Sequence, residues 1–280
     1  MSRQQLEEIW TIIKQEGEIL ANCEPILASF FHATLLQHDN LGNALSYILA
    51  NKLATPIMPA IAVREIIQDA YKNDKQMIAY AARDLKAIVQ RDSAVDKYSI
   101  PLLYLNGFHA LQAYRIGHWL WKVARTTLAT YLQSQISVSF GVDIHPAASI
   151  GYGIMLDHAT GIVIGETAVV ENDVSILQSV ILGETGKTGG DRHPKVGEGV
   201  MIGAGAKILG NIEIGKGAKI GAGSVVLHYV PPHTTVAGVP ARKVGTPNSK
   251  KPSLDMDQNF SNSIHGFGRG YLTMPSTCGE

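Results

Sequence analysis

Aliphatic or small residues recur at every sixth position through much of the second half of the chain, and few folds accommodate that spacing. The series runs through Ile144, Ile150, Leu156, Ile162, Ala168, Val174 and Val180, and it resumes at Val196, Ile202, Ile208, Ile214, Ile220 and Val226. Glycines are frequent between these positions, where tight corners leave little room for a side chain. Hexapeptide repeats of this kind are typical of a parallel β-helix, a solenoid in which roughly three repeats, about 18 residues, form one coil.

The series has one interruption, between Val180 and Val196. These sixteen residues contain one repeat of six and ten extra residues, which predicts an excursion loop over residues 183–193. Loops held on a rigid scaffold often carry function, so the interruption points to a site.

The chain divides into three parts by composition. Residues 1–140 carry apolar residues at helical spacing with few glycines, which predicts an all-α domain arranged as a bundle. Residues 141–245 carry the repeats, and residues 246–280 are polar without a core pattern, which predicts a flexible tail. The expected fold class is α+β, with an N-terminal all-α helical domain followed by a C-terminal left-handed parallel β-helix and the tail.

The bulk properties exclude several classes of partner. The charges balance, at 24 Lys plus Arg against 24 Asp plus Glu, so nothing favours nucleic acid or an anionic membrane. No apolar run is long enough to span a membrane, and the first residues do not resemble a signal peptide. The two cysteines, Cys23 and Cys278, lie at opposite ends, which is typical of a reducing compartment and suggests no metal cluster. We expect a cytoplasmic protein.

His158 is the histidine of the solenoid whose neighbours suggest chemistry. It lies between Leu156 and Ile162, and Asp143 precedes it by fifteen residues, close to one coil. A carboxylate beside an imidazole fixes its tautomer and stabilises the positive charge formed on protonation, which suits a general base acting on an alcohol or amine. A surface histidine and an aspartate that caps its own corner explain the same residues. Spacing alone leaves both interpretations open.

The excursion loop ends in Arg192 and His193, a cation and a hydrogen-bond donor beside several glycines. Arginine binds carboxylates through two parallel hydrogen bonds, so the pair suits an anionic substrate, although a merely flexible polar loop is the alternative. Residues 185–190 resemble a phosphate-binding loop only superficially, because the required strand–loop–helix setting and spacing are absent.

Two segments rich in glycine and alanine, residues 203–206 and 221–223, are eighteen residues apart and should lie one above the other. Their small side chains leave the backbone accessible, so a thin ligand such as a pantetheine arm could lie along them, with Lys219, Arg242 and Lys243 near its phosphates. Tight corners explain these glycines equally well.

Several segments together resemble the bacterial serine O-acetyltransferase family. In the solenoid they are residues 143–146, 157–167 and 189–195, which include Asp-Ile-His-Pro, Asp-His-Ala-Thr-Gly and Gly-Gly-Asp-Arg-His-Pro-Lys. Residues 96–99 and 107–115 match in the helical part, whereas residues 237–242 are shared more widely among hexapeptide acyltransferases. The resemblance extends over roughly residues 1–258.

The resemblance implies transfer of an acetyl group from acetyl-CoA to the hydroxyl of L-serine, giving O-acetyl-L-serine and CoA in the first step of cysteine biosynthesis. Acetyl-CoA is then a co-substrate, with no permanently bound cofactor and no metal, and L-cysteine inhibits by entering the serine pocket. The implied catalytic residues are His158 as the general base and Asp143 as its partner. The substrate amino group is held by Asp92 and Asp157 and its carboxylate by Arg192 and His193, and acetyl-CoA contacts are expected at Gly183, Thr185, Ala204, Lys219, Ala222 and Arg242.

The resemblance also implies an assembly. The family forms trimers of solenoids with active sites between neighbouring subunits, and the helical domains pair two trimers into a homohexamer. Residues 1–140 are then an oligomerisation domain, and the loop with Arg192 and His193 approaches His158 of an adjacent chain.

Two positions depart from the family pattern. The family's loop begins Leu-Gly-Gly-Thr-Gly-Lys, whereas residues 182–187 here read Leu-Gly-Glu-Thr-Gly-Lys. Glu184 brings bulk and charge to a position where glycine allows any backbone conformation, so we expect a raised KM for acetyl-CoA. The chain ends in Glu280, not in the isoleucine that enters the active site of cysteine synthase in other members. Because burying a charge is costly, we expect this chain to bind cysteine synthase only weakly.

Three other interpretations compete with serine acetylation. A zinc enzyme of the γ-carbonic-anhydrase type binds its metal through three histidines between subunits, which His145, His158 and His193 could supply. A non-catalytic hexameric scaffold with a decayed site would explain Glu184 and the altered tail, but not the intact candidate residues. An acyltransferase acting on a sugar or another amino alcohol differs only in its acceptor.

Overall fold

The computed structural model of the chain describes residues 1–186 and 189–259. Its N-terminal half is helical, as predicted. The helices are Arg3–Cys23 (α1), Ala28–Phe31 (α2), Leu41–Leu53 (α3), Ala60–Asn73 (α4), Gln76–Arg91 (α5), Ser99–Tyr104 (α6), Asn106–Lys122 (α7) and Thr126–Phe140 (α8), with a 3-10 turn at Pro25–Leu27 and a π-helical turn at His32–Leu36. Among the described residues, no helix combines the length and apolar character that crossing a membrane requires.

Local sequence sets both ends of the helical half. The Ser2 hydroxyl accepts a hydrogen bond from the backbone N of Gln5 at 3.2 Å, and the Gln5 side chain accepts one from the backbone N of Ser2 at 2.8 Å. This reciprocal capping box satisfies amide groups that the first turn of α1 leaves free. Helix α8 ends at Gly141, whose φ of 69° is a left-handed conformation that glycine adopts without strain. The first strand therefore begins directly beside the end of α8.

The second half is a left-handed parallel β-helix with three sheets, which confirms the fold predicted from the repeat. The strands are Asp143–Ile144 (β1), Ser149–Ile150 (β2), Met155–Leu156 (β3), Val163–Ile164 (β4), Val169–Val170 (β5), Ser175–Ile176 (β6), Ile181–Gly183 (β7), Lys195–Val196 (β8), Met201–Ile202 (β9), Lys207–Leu209 (β10), Glu213–Ile214 (β11), Lys219–Ile220 (β12), Val225–Val226 (β13), Thr235–Gly238 (β14) and Ala241–Gly245 (β15). The sheet orders are β1-β4-β7-β10-β13, β2-β5-β8-β11 and β3-β6-β9-β12-β14, and β15 pairs antiparallel with β14.

The strand register reveals a second interruption of the repeat. Val163 pairs with Ile181, eighteen residues further on, as one coil of three repeats requires. Asp143, however, pairs with Val163, twenty residues further on, so the first coil contains two extra residues. Ile181 pairs with Lys207, twenty-six residues further on, so the excursion loop adds eight residues to a regular coil. The prediction of a single interruption of ten residues is therefore wrong.

The error arises because two aliphatic series line the core of the solenoid. The series counted from the sequence includes Ile162, Ala168, Val174 and Val180, all of which are buried. Ile164 and Leu182 are buried as well, and they pair in register with Ile144 and with each other. A step of six from Leu156 to Ile162 therefore moves from one series to the other without any visible break.

A buried polar cluster joins the helical half to the solenoid. Asp84 on α5 accepts hydrogen bonds from Arg115 Nη2 at 2.7 Å and Gln112 Nε2 at 2.9 Å, both on α7, and from the backbone N of Ile154 at 2.9 Å. Arg115 also donates to the carbonyl oxygen of Gly151 at 2.8 Å. Because Asp84 is completely buried, these bonds hold α5 and α7 in one position against the first coil.

The first part of the expected tail packs back onto the protein. Pro252–Asp255 forms a short helix (α9) in which Pro252 and Ser253 are buried. The Ser253 hydroxyl donates to the carbonyl oxygen of Asp173 at 2.5 Å, and Lys251 Nζ lies 2.8 Å from Asp173 Oδ2. The sequence predicts a flexible tail from residue 246 onwards, whereas these contacts pack its first part against the solenoid. The rest of the expected tail, residues 260–280, lies outside the described residues. The prediction about cysteine synthase falls on this part of the chain.

Candidate active site

The two extra residues of the first coil form a turn that places His158 at the surface. His158 and Ala159 have φ angles of 54° and 66°, and the backbone N of Thr160 donates to the carbonyl oxygen of His158 at 2.9 Å. Positive φ angles are uncommon outside glycine, and they cluster at functional sites. Ala159 is buried, whereas the side chain of His158 is 78% exposed. The turn therefore projects the imidazole away from the solenoid.

Two carboxylates lie near this imidazole. Asp157 Oδ1 is 3.9 Å from His158 Nε2, and Asp92, directly after α5, shares with both residues a cavity of about 440 Å³. Burial raises the pKa of Asp157, the neighbouring His158 lowers it, and the Asp92 carboxylate raises it. A cavity with two carboxylates and an accessible imidazole can hold a cationic amino group and accept a proton from a bound hydroxyl.

Asp143 forms no hydrogen bond with His158 in this structure. Its Oδ1 accepts a hydrogen bond from Gln133 Nε2 of α8 at 2.7 Å. The first coil has twenty residues and aligns Asp143 with Val163, and the backbone N of Gly161 donates to the carbonyl oxygen of Gly141 at 2.8 Å, so the His158 turn stacks beside Asp143. The pairing of the two side chains stays a prediction. The Asp143 carboxylate influences the pKa of His145. Burial lowers this pKa, and nearby carboxylates, including that of Asp143, raise it.

Thr167, in the corner between β4 and β5, holds the end of the excursion loop. Its hydroxyl accepts hydrogen bonds from the backbone N of Arg192 at 3.0 Å and of His193 at 3.1 Å. His193 Nδ1 accepts in turn from the backbone N of Thr167 at 3.2 Å. No sequence pattern identifies Thr167 as a site residue. Its separation of twenty-six residues from His193 equals the enlarged coil, which is the signal that identifies it once the register is known.

The imidazole of His193 is buried, and its surroundings disfavour the protonated form. Burial lowers its pKa, and the adjacent Arg192 guanidinium lowers it further. Because Nδ1 accepts a hydrogen bond from the Thr167 amide, the ring proton is on Nε2. The sequence prediction of a donor at this position is therefore consistent with the local hydrogen bonds.

Arg192 lies between two carboxylates of its own chain. Its Nη2 donates to Glu166 Oε2 at 2.5 Å, and its Nε donates to Glu184 Oε2. These bonds raise the pKa of Arg192 and lower that of Glu166. Within the described residues, no hydrogen bond or ion pair links this group to His158. The candidate residues thus form two separate groups in one chain.

The residues expected to contact acetyl-CoA form two sets. Ala204 and Ala222 belong to stacked corners, as predicted, since the backbone N of Gly223 donates to the carbonyl oxygen of Ala204 at 2.7 Å. Arg242 is exposed on β15, at the same end of the solenoid. The corners are open to a thin ligand, and the contacts themselves stay predictions.

The other expected contacts lie at the start of the excursion loop. Gly183 ends β7, and its carbonyl oxygen accepts a hydrogen bond from the backbone N of Gly210 at 2.9 Å. Thr185 is exposed two residues further on, with its methyl group facing Gly210. Both residues are therefore held against the next coil.

Lys219 lies beneath the returning C-terminal segment. Its side chain is only 6% exposed, and Nζ donates to the carbonyl oxygen of Asn259 at 2.9 Å and lies 3.7 Å from Asp257 Oδ2. The expectation of an exposed ammonium group that meets a phosphate does not match this arrangement, because residues 257–259 cover the position.

The histidines proposed for a zinc site do not converge. In the described part of the chain, no three His, Cys, Asp or Glu side chains form a group suited to hold a metal ion. His145 Nδ1 accepts a hydrogen bond from the backbone N of Ala147 at 3.1 Å, and His193 Nδ1 is engaged by Thr167. One chain therefore gives no support to the zinc interpretation.

The fold and site define a transferase built from hexapeptide repeats. Residues 193–228 match the family model described as bacterial transferase hexapeptide, six repeats, and residues 9–113 match that of the N-terminal part of serine acetyltransferase. The chain belongs to the serine acetyltransferase family.

Similar proteins match nearly the whole chain. The serine acetyltransferase of Escherichia coli strain K12 is 72% identical over 270 residues, which cover 96% of this chain and 99% of that protein. A crystal structure of serine acetyltransferase from Vibrio cholerae is 67% identical, with a TM-score of 0.90, and covers 91% of this chain and 98% of that one. A serine acetyltransferase in complex with cysteine is 65% identical, with a TM-score of 0.89, and covers 90% of this chain and 98% of that one.

Proposed function

We propose that this protein transfers the acetyl group of acetyl-CoA to the hydroxyl of L-serine, giving O-acetyl-L-serine and CoA, and that L-cysteine inhibits it. The observation that carries the proposal is the turn at His158, which presents an exposed imidazole to a cavity shared with Asp92 and Asp157. Membership of the serine acetyltransferase family supports the choice of acetyl donor and acceptor.

His158 is the proposed general base. It takes the proton of the serine hydroxyl as the oxygen attacks the thioester carbonyl, and it returns that proton to the thiolate of CoA when the carbon–sulfur bond breaks. Asp92 and Asp157 hold the substrate ammonium group, which two nearby carboxylates attract. Arg192 and the Nε2–H of His193 hold the substrate carboxylate.

The active site is proposed to lie between two chains of a homohexamer, a dimer of trimers. Support comes from the separation of the His158 group from the Arg192 group within one chain, since a serine molecule must contact both. Asp143 is proposed to orient the imidazole of His158, as the resemblance of residues 143–146 to the family implies; within the chain its Oδ1 also accepts a hydrogen bond from Gln133 Nε2 at 2.7 Å.

Mixed assemblies test the shared site. His158→Ala and Arg192→Ala, produced together with different affinity tags and purified through both tags, should recover serine-dependent turnover that each variant lacks alone. Mixed assemblies as inactive as the single variants would show that each site is built from one chain.

A cytoplasmic location is also proposed, on the basis of the composition and the isolated cysteines.

Thiol release from acetyl-CoA, measured with and without L-serine, tests the reaction itself. We expect serine-dependent release that falls about 10²- to 10⁴-fold in kcat in His158→Ala, because the general base is lost. Circular dichroism of the variant controls for folding. A folded parent protein without serine-dependent release would refute the proposed function and favour another acceptor or a non-catalytic scaffold.

A further inference from the structure

The guanidinium of Arg192 is already occupied by carboxylates of its own chain. Nε contacts Glu184, Nη2 contacts Glu166 at 2.5 Å, and Nη1 donates to the carbonyl oxygen of Gly190 at 3.1 Å. A bidentate carboxylate needs two parallel N–H groups on one edge of the guanidinium. The edge formed by Nε and Nη2 carries Glu184 and Glu166, so a ligand that binds this edge must displace one of them.

The charges around Arg192 make Glu184 the decisive residue. Arg192 with Glu166 alone would be neutral, and the second carboxylate of Glu184 gives the group a net charge of minus one. Burial lowers the pKa of both His193 and His145, which disfavours a compensating positive charge on either ring. An incoming carboxylate therefore meets a negative group where Arg192 by itself would attract it.

Glu184 acts here through its side chain and not through backbone strain. Its φ is not among the positive angles of the described residues, so a non-glycine residue adopts this conformation without penalty. The chain just before it is fixed, since the carbonyl oxygen of Gly183 accepts from Gly210 at 2.9 Å. From that anchored position the carboxylate reaches across the loop to Arg192, eight residues further on.

We propose that Glu184 sets the affinity of this protein for amino acids, as an internal competitor for the Arg192 guanidinium. The inference rests on the proposed function, in which Arg192 binds the carboxylate of serine or cysteine. Both ligands carry the same carboxylate, so Glu184 weakens both by a similar factor. A ligand without a carboxylate escapes the competition.

Two substitutions at this position separate charge from bulk. Glu184→Gln keeps the size of the side chain and removes its charge, whereas Glu184→Gly removes both. The matched control is Asp191→Asn, which removes a carboxylate of the same loop that contacts Lys195 at 2.5 Å and also Thr167, but that forms no hydrogen bond or ion pair with the Arg192 side chain among the described residues. L-Serinamide, which has the hydroxyl and ammonium groups of serine but no carboxylate, is the control ligand.

The expected result is a two- to fivefold lower KM for L-serine and a similarly lower inhibition constant for L-cysteine in Glu184→Gln. The range is about that of a partly exposed ion pair, since the side chains of Arg192 and Glu184 are 23% and 40% exposed. The kcat and the KM for L-serinamide should stay unchanged. A lower KM for acetyl-CoA in Glu184→Gly alone would assign that separate effect to bulk.

Unchanged or weaker affinity for serine and cysteine in Glu184→Gln overturns the proposal. An equal change of these affinities in Asp191→Asn also overturns it, because loosening of the loop would then explain both results. Calorimetric titration of L-cysteine into the parent and Glu184→Gln proteins measures the competition without turnover. Failure of the proposed function therefore appears as absent serine-dependent release, whereas failure of this inference appears as equal cysteine affinities.

Discussion

The imidazole of His193 lies directly against the backbone of Gly165. A Cβ atom on Gly165 would be 2.0 Å from both Cδ2 and Nε2 of the ring, which is far shorter than a van der Waals contact. Thr167 holds the other nitrogen of the ring through its amide and hydroxyl. Two features of this corner therefore position the ring. Gly165 has no side chain to displace it, and Thr167 hydrogen-bonds its Nδ1.

Replacing Gly165 with alanine should displace His193 and weaken serine binding. We expect kcat/KM for L-serine to fall on the order of 10- to 100-fold, because displacement of a positioning group by about 1 Å has effects of this size. Gly189→Ala, in the excursion loop, is the control, since a Cβ atom added there would have nothing within 4 Å. Equal kinetics for the parent and Gly165→Ala proteins would show that His193 does not contribute to serine binding.

The buried pair of Asp84 and Arg115 should be essential for stability. Asp84→Asn is expected to lower the free energy of unfolding by about 3–5 kcal/mol, because it leaves the guanidinium of Arg115 buried without a counter-charge. Arg3→Ala breaks a pair of the same 2.7 Å length with Glu7, but side chains that are 92% and 63% exposed should make this change undetectable. Urea unfolding of both variants measures the contrast, and similar midpoints for the two would contradict the assignment.

His109 should make the protein less stable in acid. Its Nε2 is 2.8 Å from the carbonyl oxygen of Leu102, and burial lowers its pKa to about 4. The unfolded chain, with a histidine pKa near 6.5, binds a proton that the folded chain excludes, so this stability is complete above pH 6.5 and is lost as the pH falls towards 4. The expected loss from His109 at pH 5 is about 2 kcal/mol.

Urea unfolding at pH 7 and pH 5 checks the effect of His109. His109→Gln keeps a donor for the Leu102 carbonyl but does not titrate, so its stability should fall less between the two pH values. Other histidines with lowered pKa, His38, His118, His145 and His193, act in the same direction and leave a residual slope. The same slope in parent and variant would argue against a role for His109.

The sequence predicted the solenoid because its six-residue period is a local feature. The period is the same whichever of the two buried aliphatic series is counted. The register itself was not predictable in the first coil, since Ile162 and Ile164 are both buried and either could continue the series. The sequence therefore does not reveal the two extra residues that form the His158 turn. For the same reason the spacing predicts ten extra residues in the excursion loop, whereas the structure has eight.

The candidate site shows the same division. His158, Asp157, Arg192 and His193 stand out in sequence because their residue types and neighbours suggest acid–base chemistry and anion binding. Their partners did not stand out: Thr167 and Glu166 meet the loop only because the enlarged coil brings positions twenty-six residues apart into register. The C-terminal segment covers Lys219, and no sequence pattern around this lysine indicates that contact.

The sequence by itself determined the class of fold, the helical first half, the existence of the loop and the residues that carry reactive groups, because these depend on local periodicity and side-chain chemistry. Only the tertiary structure decided which groups meet. Gln133 donates a hydrogen bond to the carboxylate of Asp143. The guanidinium of Arg192 pairs with Glu184, and that of Arg115 pairs with Asp84. Such partners are set by the stacking of coils and the docking of helices, which a pattern along one chain does not specify.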